Sequence, residues 1–508
     1  MATTIRQLAE LAGGRVIGDG DITVSDCGLD SKKLPEGALF AALPGTRVHG
    51  AQFAGDTPAR AILSDVAGVE ILQSSGETRP IIEVEDIRAV LGLIAAEIYG
   101  HSTKDLTVIA ITGTSGKTTT SYLLEAGLLH AGYSVGLIGT TGTRINREPV
   151  PTTLTTPEAP TLQQLFAQMK DEGVTHVVME VSSHALELGR VQGTRFAVGG
   201  FSNLSQDHLD FHPTMEEYFA AKARLFRGEQ AAEAAVICVD DDWGGRMVDI
   251  VKQEGLPMQR VRTGSTQAEA EISAHQLDTE VTGAQHVELT LADKNYTFRL
   301  PMPGEFNIAN AALATGLAAS VGVDTQTFLE GIEKVAVPGR MERVDRGQDF
   351  VAVVDYAHKP AAVTAVLETL REQLGEDGGR IGIVVGAGGD RDSSKRPLMG
   401  AAAAEGADFV VVTDDNPRTE DPAQIRAAVR KGAEEADSSA EVREEGSRAA
   451  AIDAAVEWAR PGDAIIVVGK GHEVGQLVGT ETHHFDDHEE LARALEARGY
   501  TTSAGTKD

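Results

Sequence analysis

The sequence predicts an α/β protein of three domains. These are a small mixed N-terminal domain, a central P-loop mononucleotide-binding α/β domain with an antiparallel addition, and a C-terminal Rossmann-like α/β domain. Three observations carry this expectation. The chain has 508 residues, and at roughly 100–200 residues per domain that length suggests three. From Leu106 onward, strand-length apolar runs alternate with helical patterns, as parallel strands buried on both faces do. A second such series begins after Pro338. The expected domains cover residues 1–105, 106–337 and 338–508.

In the first domain short strands and helices mix, punctuated by Leu43, Pro44, Gly45 and Gly50. Ile87–Ile98 reads as a helix, and the polar HSTKDL after it reads as a boundary. The central runs are LTVIAIT, SVGLIGT, THVVMEV, FAVGGFSNL and AAVICVD. Residues 272–300 instead alternate polar and apolar, with a turn signal near Asp293, which predicts an antiparallel hairpin. PGEFNIANAALATGLAAS reads as a loop entering an Ala-rich helix. The last series is DFVAVVDYAH, RIGIVVGAGGDRD, DFVVVTDDNPRTEDP and DAIIVVGKGHE, with helices such as PAAVTAVLETLREQL between. Each of these strands ends in a polar loop. Ligands of open α/β sheets bind outside the carboxyl ends of the strands, so the four loops predict one site.

Composition excludes several functions. Hydrophobic residues make up 42% and charged residues 24%, which argues for a folded chain rather than a disordered one. Asp plus Glu is 76 against 45 for Lys plus Arg, a net charge of −31. Such a chain binds neither nucleic acid nor an anionic membrane through its overall field. An anionic substrate must be captured by a local cluster of cations and backbone amides. Cys27 and Cys238 are too few for a disulfide framework or a zinc site and read as buried thiols. The opening MATTIRQLAELAGG has helical spacing and no basic-then-apolar signal pattern. The apolar runs are far shorter than the roughly 20 residues of a membrane span. A cytoplasmic location follows as the expectation.

The sharpest motif is VIAITGTSGKTTT. A strand runs into Gly113, Thr114, Ser115, Gly116, Lys117 and Thr118, and a helix follows. Glycines let amides curl toward a phosphate, and the helix N-terminus adds partial positive charge. Lys117 can reach the terminal phosphates and the Thr118 hydroxyl can ligate Mg²⁺. The position five before Gly116 is Ile111, so this is a shortened variant of the Walker pattern. Glu180 ends a buried strand, where a carboxylate suits Mg²⁺ or its water. FSNLSQDHLDFH supplies Asn203, Asp207, His208 and Asp210 to the same region. YFAAKARLF places Tyr218 and Lys222 one helical turn apart, and composition alone makes Lys222 a surface lysine.

TGTSGKTTT, EVSSHAL, NLSQDHLDFH, YFAAKARLF, PGEFNIANAALA, PGRMERV, DYAHKP, GGDRD, DDNPRTEDP and GKGHE occur in that order. Together they resemble the Mur ligases, ATP-dependent amide-forming enzymes of peptidoglycan synthesis. The resemblance covers nearly the whole chain, from LDSKKLPEGALF to GKGHE, and is nearest to the members that add meso-diaminopimelate. It implies a first domain for a uridine nucleotide, a second for ATP and a third for the incoming amino acid.

The resemblance also implies roles for individual residues. Leu29, Ser31, Thr46, Arg47 and Val48 would contact the uridine nucleotide. Thr155, Thr156, Ser182 and Arg190 would contact the muramoyl dipeptide. Gly113, Thr114, Ser115, Gly116, Lys117, Thr118 and Thr119 would cradle ATP, with Asn307, Arg340, Asp355 and His358 approaching from the domain junction. Magnesium would lie at Thr118, Glu180 and His208, joined by Lys222 as a CO₂-derived carbamate. The catalytic set is then Lys117, Lys222 and His208. Arg391, Asp415, Asn416, Pro417, Arg418, Gly469 and Glu473 would form the diaminopimelate pocket. Leu188 departs from the family, some members of which carry glutamine there.

The implied partners are UDP-MurNAc-L-Ala-D-Glu, ATP and meso-diaminopimelate, acted on by a monomer. L-Lysine is the alternative amino acid. Arg418 argues for diaminopimelate, because its fork suits a second carboxylate that lysine lacks. A nucleotide-dependent switch is the reading from another class; it would need the phosphate loop but not the four polar loops of the third domain.

Overall fold

Each of the three larger sheets has apolar side chains packed on both faces, and the reason is legible strand by strand. The computed structural model describes residues 3–45, 47–264, 268–280, 282–375 and 378–501. In the first sheet the strands Asp26–Gly28, Ala38–Ala41, Ala61–Asp65 and Ile81–Val84 run parallel, and Arg15–Ile17 closes one edge antiparallel. Alternate residues point to opposite faces. Ala61 and Leu63 therefore join a core with Ile5, Leu8 and Ile94, while Ile62 joins Phe40 and Leu72 on the other side. Helices start where capping residues stand: Thr4 forms a capping box with Gln7, and Asp86 accepts from the amides of Arg88 and Ala89.

The central sheet has eleven strands. Thr107–Thr112 lies in its middle between His176–Glu180 and Val198–Phe201, parallel to both. Val108 and Ala110 face one core and Ile109 and Ile111 the other, as the continuous apolar run predicts. Val135–Gly139 and Ala235–Cys238 are the other expected strands. The strand Met258–Thr263 was not expected. Its sequence MQRVRT is mostly half-buried, with only Val261 and Thr263 buried, so it lacks the apolar run of its neighbours. The antiparallel addition has three strands rather than two: Ile272–Thr279, Gln285–Leu291 and Lys294–Leu300. Ala292 and Asp293 turn the last pair with φ of 50° and 61°, the tight left-handed turn that matches strand twist.

In the C-terminal sheet Val351–Asp355, Ala464–Val468, Ile381–Val385 and Phe409–Val412 are consecutive parallel neighbours. All four carboxyl ends therefore open on one edge. Behind that edge Arg448 and Asp487, both fully buried, form a two-bond fork at 2.7 and 2.6 Å. Arg448 Nη2 also donates to the Val468 carbonyl at 2.9 Å. Cys27 and Cys238 are buried free thiols, as expected. Among the described residues no helix is long and apolar enough to cross a membrane.

Candidate active site

The phosphate loop joins the strand Thr107–Thr112 to the helix Lys117–His130. Gly113 and Gly116 have φ of 144° and 88°, and a side chain at either would collide with Ser202 Oγ or Asn310 Oδ1. The helix N-cap is Gly116, with no side chain to satisfy the first amides, so they are free for an anion. Asn203 props the loop: its Oδ1 accepts from Ser115 N at 2.9 Å and its Nδ2 donates to the Ser115 carbonyl at 3.1 Å. The Asn203 carbonyl accepts from Thr114 N at 2.9 Å. Lys117 Nζ folds back to the carbonyls of Gly113 and Thr114, at 2.8 and 3.1 Å.

Three more basic side chains converge on this loop. Lys222 is 1% exposed, donates to the Gly113 carbonyl at 2.8 Å and lies 4.4 Å over the Tyr218 ring. It is not the surface lysine that composition favours. Lys359, from the C-terminal domain, pairs with Asp207 at 2.9 Å and donates to the Thr114 carbonyl at 3.3 Å. Arg340 Nη2 donates to Thr118 Oγ1 at 3.3 Å, with its guanidinium 4.3 Å over Tyr356. Here is the local positive cluster that a chain of charge −31 requires.

Crowding shifts the titrations. Burial, then the charge of Lys359, pushes Lys117 down to about 8. Burial, then Lys117 and Lys359, pushes Lys222 well below its ordinary value. Burial opposes ionisation of Asp207, but the charge of Lys359 outweighs it and holds the carboxyl below the usual range. Burial pushes His208 down to about 3 although Asp207 Oδ2 is only 3.1 Å away. His208 is thus a neutral imidazole, held with φ of 55°. His358 is neutral too, depressed by burial and by Lys359 and Lys395, and its Nδ1 bonds the Tyr356 carbonyl at 2.9 Å.

One cavity of about 690 Å³ gathers the phosphate loop, Glu180, His208, Arg340, His358 and Arg391. Glu180 is buried, and its carboxylate accepts from Thr140 N at 3.0 Å and Thr140 Oγ1 at 2.8 Å. Thr140 Oγ1 in turn lies 3.3 Å from Thr155 Oγ1. Thr156 Oγ1 donates to the Glu180 carbonyl and accepts from Ser182 N, and Arg190 reaches the Thr156 carbonyl at 3.3 Å. Thr155, Thr156, Ser182 and Arg190, expected to contact the dipeptide, line the same cavity. Among the described residues no group of three His, Cys, Asp or Glu stands ready for a metal. The donors facing the cavity are instead the Glu180 carboxylate, the Thr118 hydroxyl and a neutral imidazole. That set suits a hard cation that keeps several waters and phosphate oxygens.

Two residues expected to approach ATP are occupied by the protein itself. Asp355 accepts from the Met341 and Ala357 amides, both at 2.7 Å, and so clamps the strand end to the loop that carries Arg340. Asn307 donates to the Pro303 carbonyl at 2.7 Å and accepts from Asn310 at 3.2 Å. Both still line the cavity.

The four C-terminal loops are hydrogen-bonded to one another at one edge, and two of them line the cavity. The loop after Asp355 and Arg391 face the cavity. The loops at 415–418 and 469–473 bond to each other beside it. Asn416 Nδ2 donates to Glu473 Oε2 at 2.9 Å, and Arg418 Nη1 donates to the Gly389 carbonyl at 2.7 Å. The loops approach closely: a side chain at Gly469 would strike the Asp415 carboxylate, and one at Gly389, in the loop that carries Arg391, the Pro417 carbonyl. In the N-terminal domain Leu29, Ser31, Arg47 and Val48 do not line the cavity. Thr46 lies outside the described residues. Sequence reasoning missed Lys359 and Thr140. Lys359 directly follows His358 in DYAHKP, and Thr140 ends the run SVGLIGT, so both stood inside segments already singled out.

The Mur ligase middle domain family matches residues 111–318. The Mur ligase glutamate ligase domain matches 339–471, and the Mur ligase family catalytic domain matches 23–99. The chain is 60% identical to the UDP-N-acetylmuramoyl-L-alanyl-D-glutamate–2,6-diaminopimelate ligase of Corynebacterium glutamicum, over 94% of this chain and 92% of that one. It is 56% identical to the enzyme of the same name from Corynebacterium efficiens, over 97% and 95%. A solved structure of a UDP-N-acetylmuramoyl-L-alanyl-D-glutamate–2,6-diaminopimelate ligase superposes with a TM-score of 0.68 at 32% identity, covering 99% of this chain and all of that one. On this evidence the chain belongs to the Mur ligase family.

Proposed function

We propose that the protein is an ATP-dependent ligase that adds meso-diaminopimelate to the D-Glu γ-carboxylate of UDP-N-acetylmuramoyl-L-alanyl-D-glutamate. ADP and phosphate are the other products, and the step belongs to peptidoglycan precursor synthesis. The observation that carries the reading is the junction: Lys359 and Arg340 of the C-terminal domain bond directly to the phosphate loop of the central one.

A carboxylate and an ammonium do not condense in water. Transfer of the γ-phosphoryl group makes an acyl phosphate, whose carbonyl carbon the free amine attacks, expelling phosphate. Both partners of the first step are anions, so their repulsion must be cancelled at the loop. Lys117, Lys359 and the amides at the start of the helix Lys117–His130 supply that charge. Thr118, Glu180 and His208 would hold Mg²⁺, which when bound supplies further neutralisation of the phosphate oxygens. The buried junction keeps water from the acyl phosphate. Lys222, with its proton affinity depressed, offers the neutral amine that combines with CO₂ to give a carbamate and a proton. As a carbamate it would present hard oxygen donors beside the loop.

On the amino-acid side, Arg418 and Asn416 offer donors to a far carboxylate and Glu473 an acceptor for its ammonium. One chain completes the cavity, which supports action as a monomer. The nucleotide-linked substrates support a cytoplasmic location. The test is phosphate release with each substrate omitted in turn, with diaminopimelate and lysine run in parallel. The expected result is release only when the dipeptide and diaminopimelate are both present. Release with ATP alone at the full rate would instead identify a nucleotide switch.

A further inference from the structure

A buried lysine and a small hairpin, neither assigned a role so far, control how the amino-acid pocket presents itself. We infer that Lys470 and the hairpin Gly475–Val478/Glu481–His484 form a brace that sets the polarity of Asn416 and the pose of Arg418. The brace thereby fixes the preference for a carboxylate-bearing amino acid without touching it. This rests on the amino-acid pocket of the proposed function.

Lys470 has no exposed side-chain surface. An ammonium has three protons to donate. Lys470 Nζ spends them on Asn416 Oδ1 at 3.2 Å, Glu473 Oε2 at 3.3 Å and the Gly475 carbonyl at 2.5 Å. No donor remains for a substrate, so its role is positioning. The Leu477 amide also donates to Asn416 Oδ1, at 2.9 Å. Lysine and a backbone amide can only donate, so the atom between them must be the amide oxygen. Both its lone pairs are then used. The Asn416 nitrogen faces the other way, gives one proton to Glu473 Oε2 and keeps one. Asn416 can therefore donate to a ligand but not accept from it.

The same hairpin holds Arg418. Arg418 sits at φ of 52°, a backbone region that a residue with a Cβ rarely adopts. Its amide donates to the Leu477 carbonyl at 3.0 Å, and its carbonyl accepts from Gly479 N at 2.7 Å. Gln476 Nε2 ties the Asp415 carbonyl to the hairpin at 2.8 Å. A guanidinium and an amide N–H presented by one short loop welcome a carboxylate and oppose the plain ammonium end of lysine. Selection against the wrong amino acid is as much a part of specificity as attraction of the right one.

The test uses the full chain with Lys470→Met, which removes all three donors, and Leu477→Pro, which removes the amide that bonds Asn416 Oδ1 and leaves the Lys470 ammonium in place. Steady-state constants for diaminopimelate, lysine, ATP and the dipeptide substrate are measured, with thermal unfolding as the check on folding. In folded variants we expect the KM for diaminopimelate to rise about tenfold or more and its advantage over lysine in kcat/KM to shrink by a similar factor. The KM for ATP should stay within about twofold of the parent, because the phosphate loop is untouched. Folded variants that keep the parental KM and preference, or that lose only kcat, would overturn the brace. Should Lys470→Met not fold, Leu477→Pro decides alone by the same criteria. A parent that turns over no diaminopimelate defeats the proposed substrate instead, and the brace is then judged on the KM of the amino acid it does use.

Discussion

The two faces by which the central domain meets its neighbours are built differently. Toward the N-terminal domain the contact is close and centred on apolar side chains, with Arg88 pairing with Glu158 at 3.3 Å beside them. The helix Ile87–Ile98 packs on Ala159–Asp171, and Ala159 belongs to the N-terminal core. A side chain at Gly92 would strike the Gln192 carbonyl, and one at Gly193 the Gly92 carbonyl, so the backbones touch. Toward the C-terminal domain no core residue is shared among the described residues: the two C-terminal clusters begin at Met341 and Val344. That junction is made by charges and hydrogen bonds, namely Arg340 to Thr118, Lys359 to Asp207 and the Thr114 carbonyl, and Arg343 to the Thr282 carbonyl. An apolar interface fixes one domain on another, whereas a polar one rearranges readily. The first contact is a scaffold; the second encloses the chemistry and is completed by what binds there.

The comparison can be broken at several points. The largest effect is expected from Lys117→Ala, which removes the charge that meets the transferring phosphoryl group. We expect kcat to fall by roughly 10²–10⁴ with the unfolding midpoint no lower than the parent's. Turnover within about tenfold of the parent would remove Lys117 from the reaction. Next, Lys222→Ala should be nearly inactive, by about 10²-fold or more, and partly restored by formate or acetate if the lysine works as a carbamate. A fully active variant would contradict that, and so would one that no small acid rescues. Arg418→Ala should cost roughly 10–150-fold in kcat/KM for diaminopimelate, the worth of a charge-assisted pair, and little for lysine.

A smaller effect concerns pH. In the free enzyme Lys117 titrates near 8, below its ordinary value of 10.5. A bound polyphosphate favours the charged form. Nucleotide affinity should thus be level below pH 8 and fall above it, by up to about tenfold per unit, as the ammonium is lost. Direct binding measurements across that range check this, and Lys117→Met should flatten the profile. By the same linkage Lys117 keeps its proton to higher pH in the unfolded chain. It therefore opposes folding at neutral pH, and this opposition is relieved as pH rises from 8 toward 10.5. The scaffold side should behave oppositely to the junction. Gly193→Ala, at φ of 77° against the Gly92 carbonyl, should cost about 1–3 kcal/mol of stability by overpacking and strain. Once folded, the variant should keep the parental KM for ATP.

Much of this was legible in the residues. The strand Thr107–Thr112, the glycines after it and the helix from Lys117 announce themselves, because an apolar run, a tight turn and a helix start each have a local cause. The carboxyl-end loops of the C-terminal sheet were legible for the same reason. What was hidden depends on distant partners. Lys222 is buried by a carbonyl 109 positions away in sequence, and Lys359 by Asp207 of another domain. Nothing in YFAAKARLF alone distinguishes such a lysine from a solvated one. The hairpin that braces Arg418 was unread because GQLV and ETHH are half-exposed or exposed and carry no buried stripe. That two of the four loops line the cavity while all four bond to one another, as in the Arg418–Gly389 and Asn416–Glu473 pairs, is not encoded by spacing along the chain.

The central claim is that this junction joins diaminopimelate to the dipeptide at the expense of one ATP. The most direct measurement is a competition: equal diaminopimelate and lysine, the UDP-linked dipeptide and ATP, with products identified by mass and phosphate counted. The account predicts a product heavier by diaminopimelate less water, one phosphate per product, and lysine incorporation at least about tenfold lower. Equal incorporation of lysine, or phosphate released without ligated product, would contradict it.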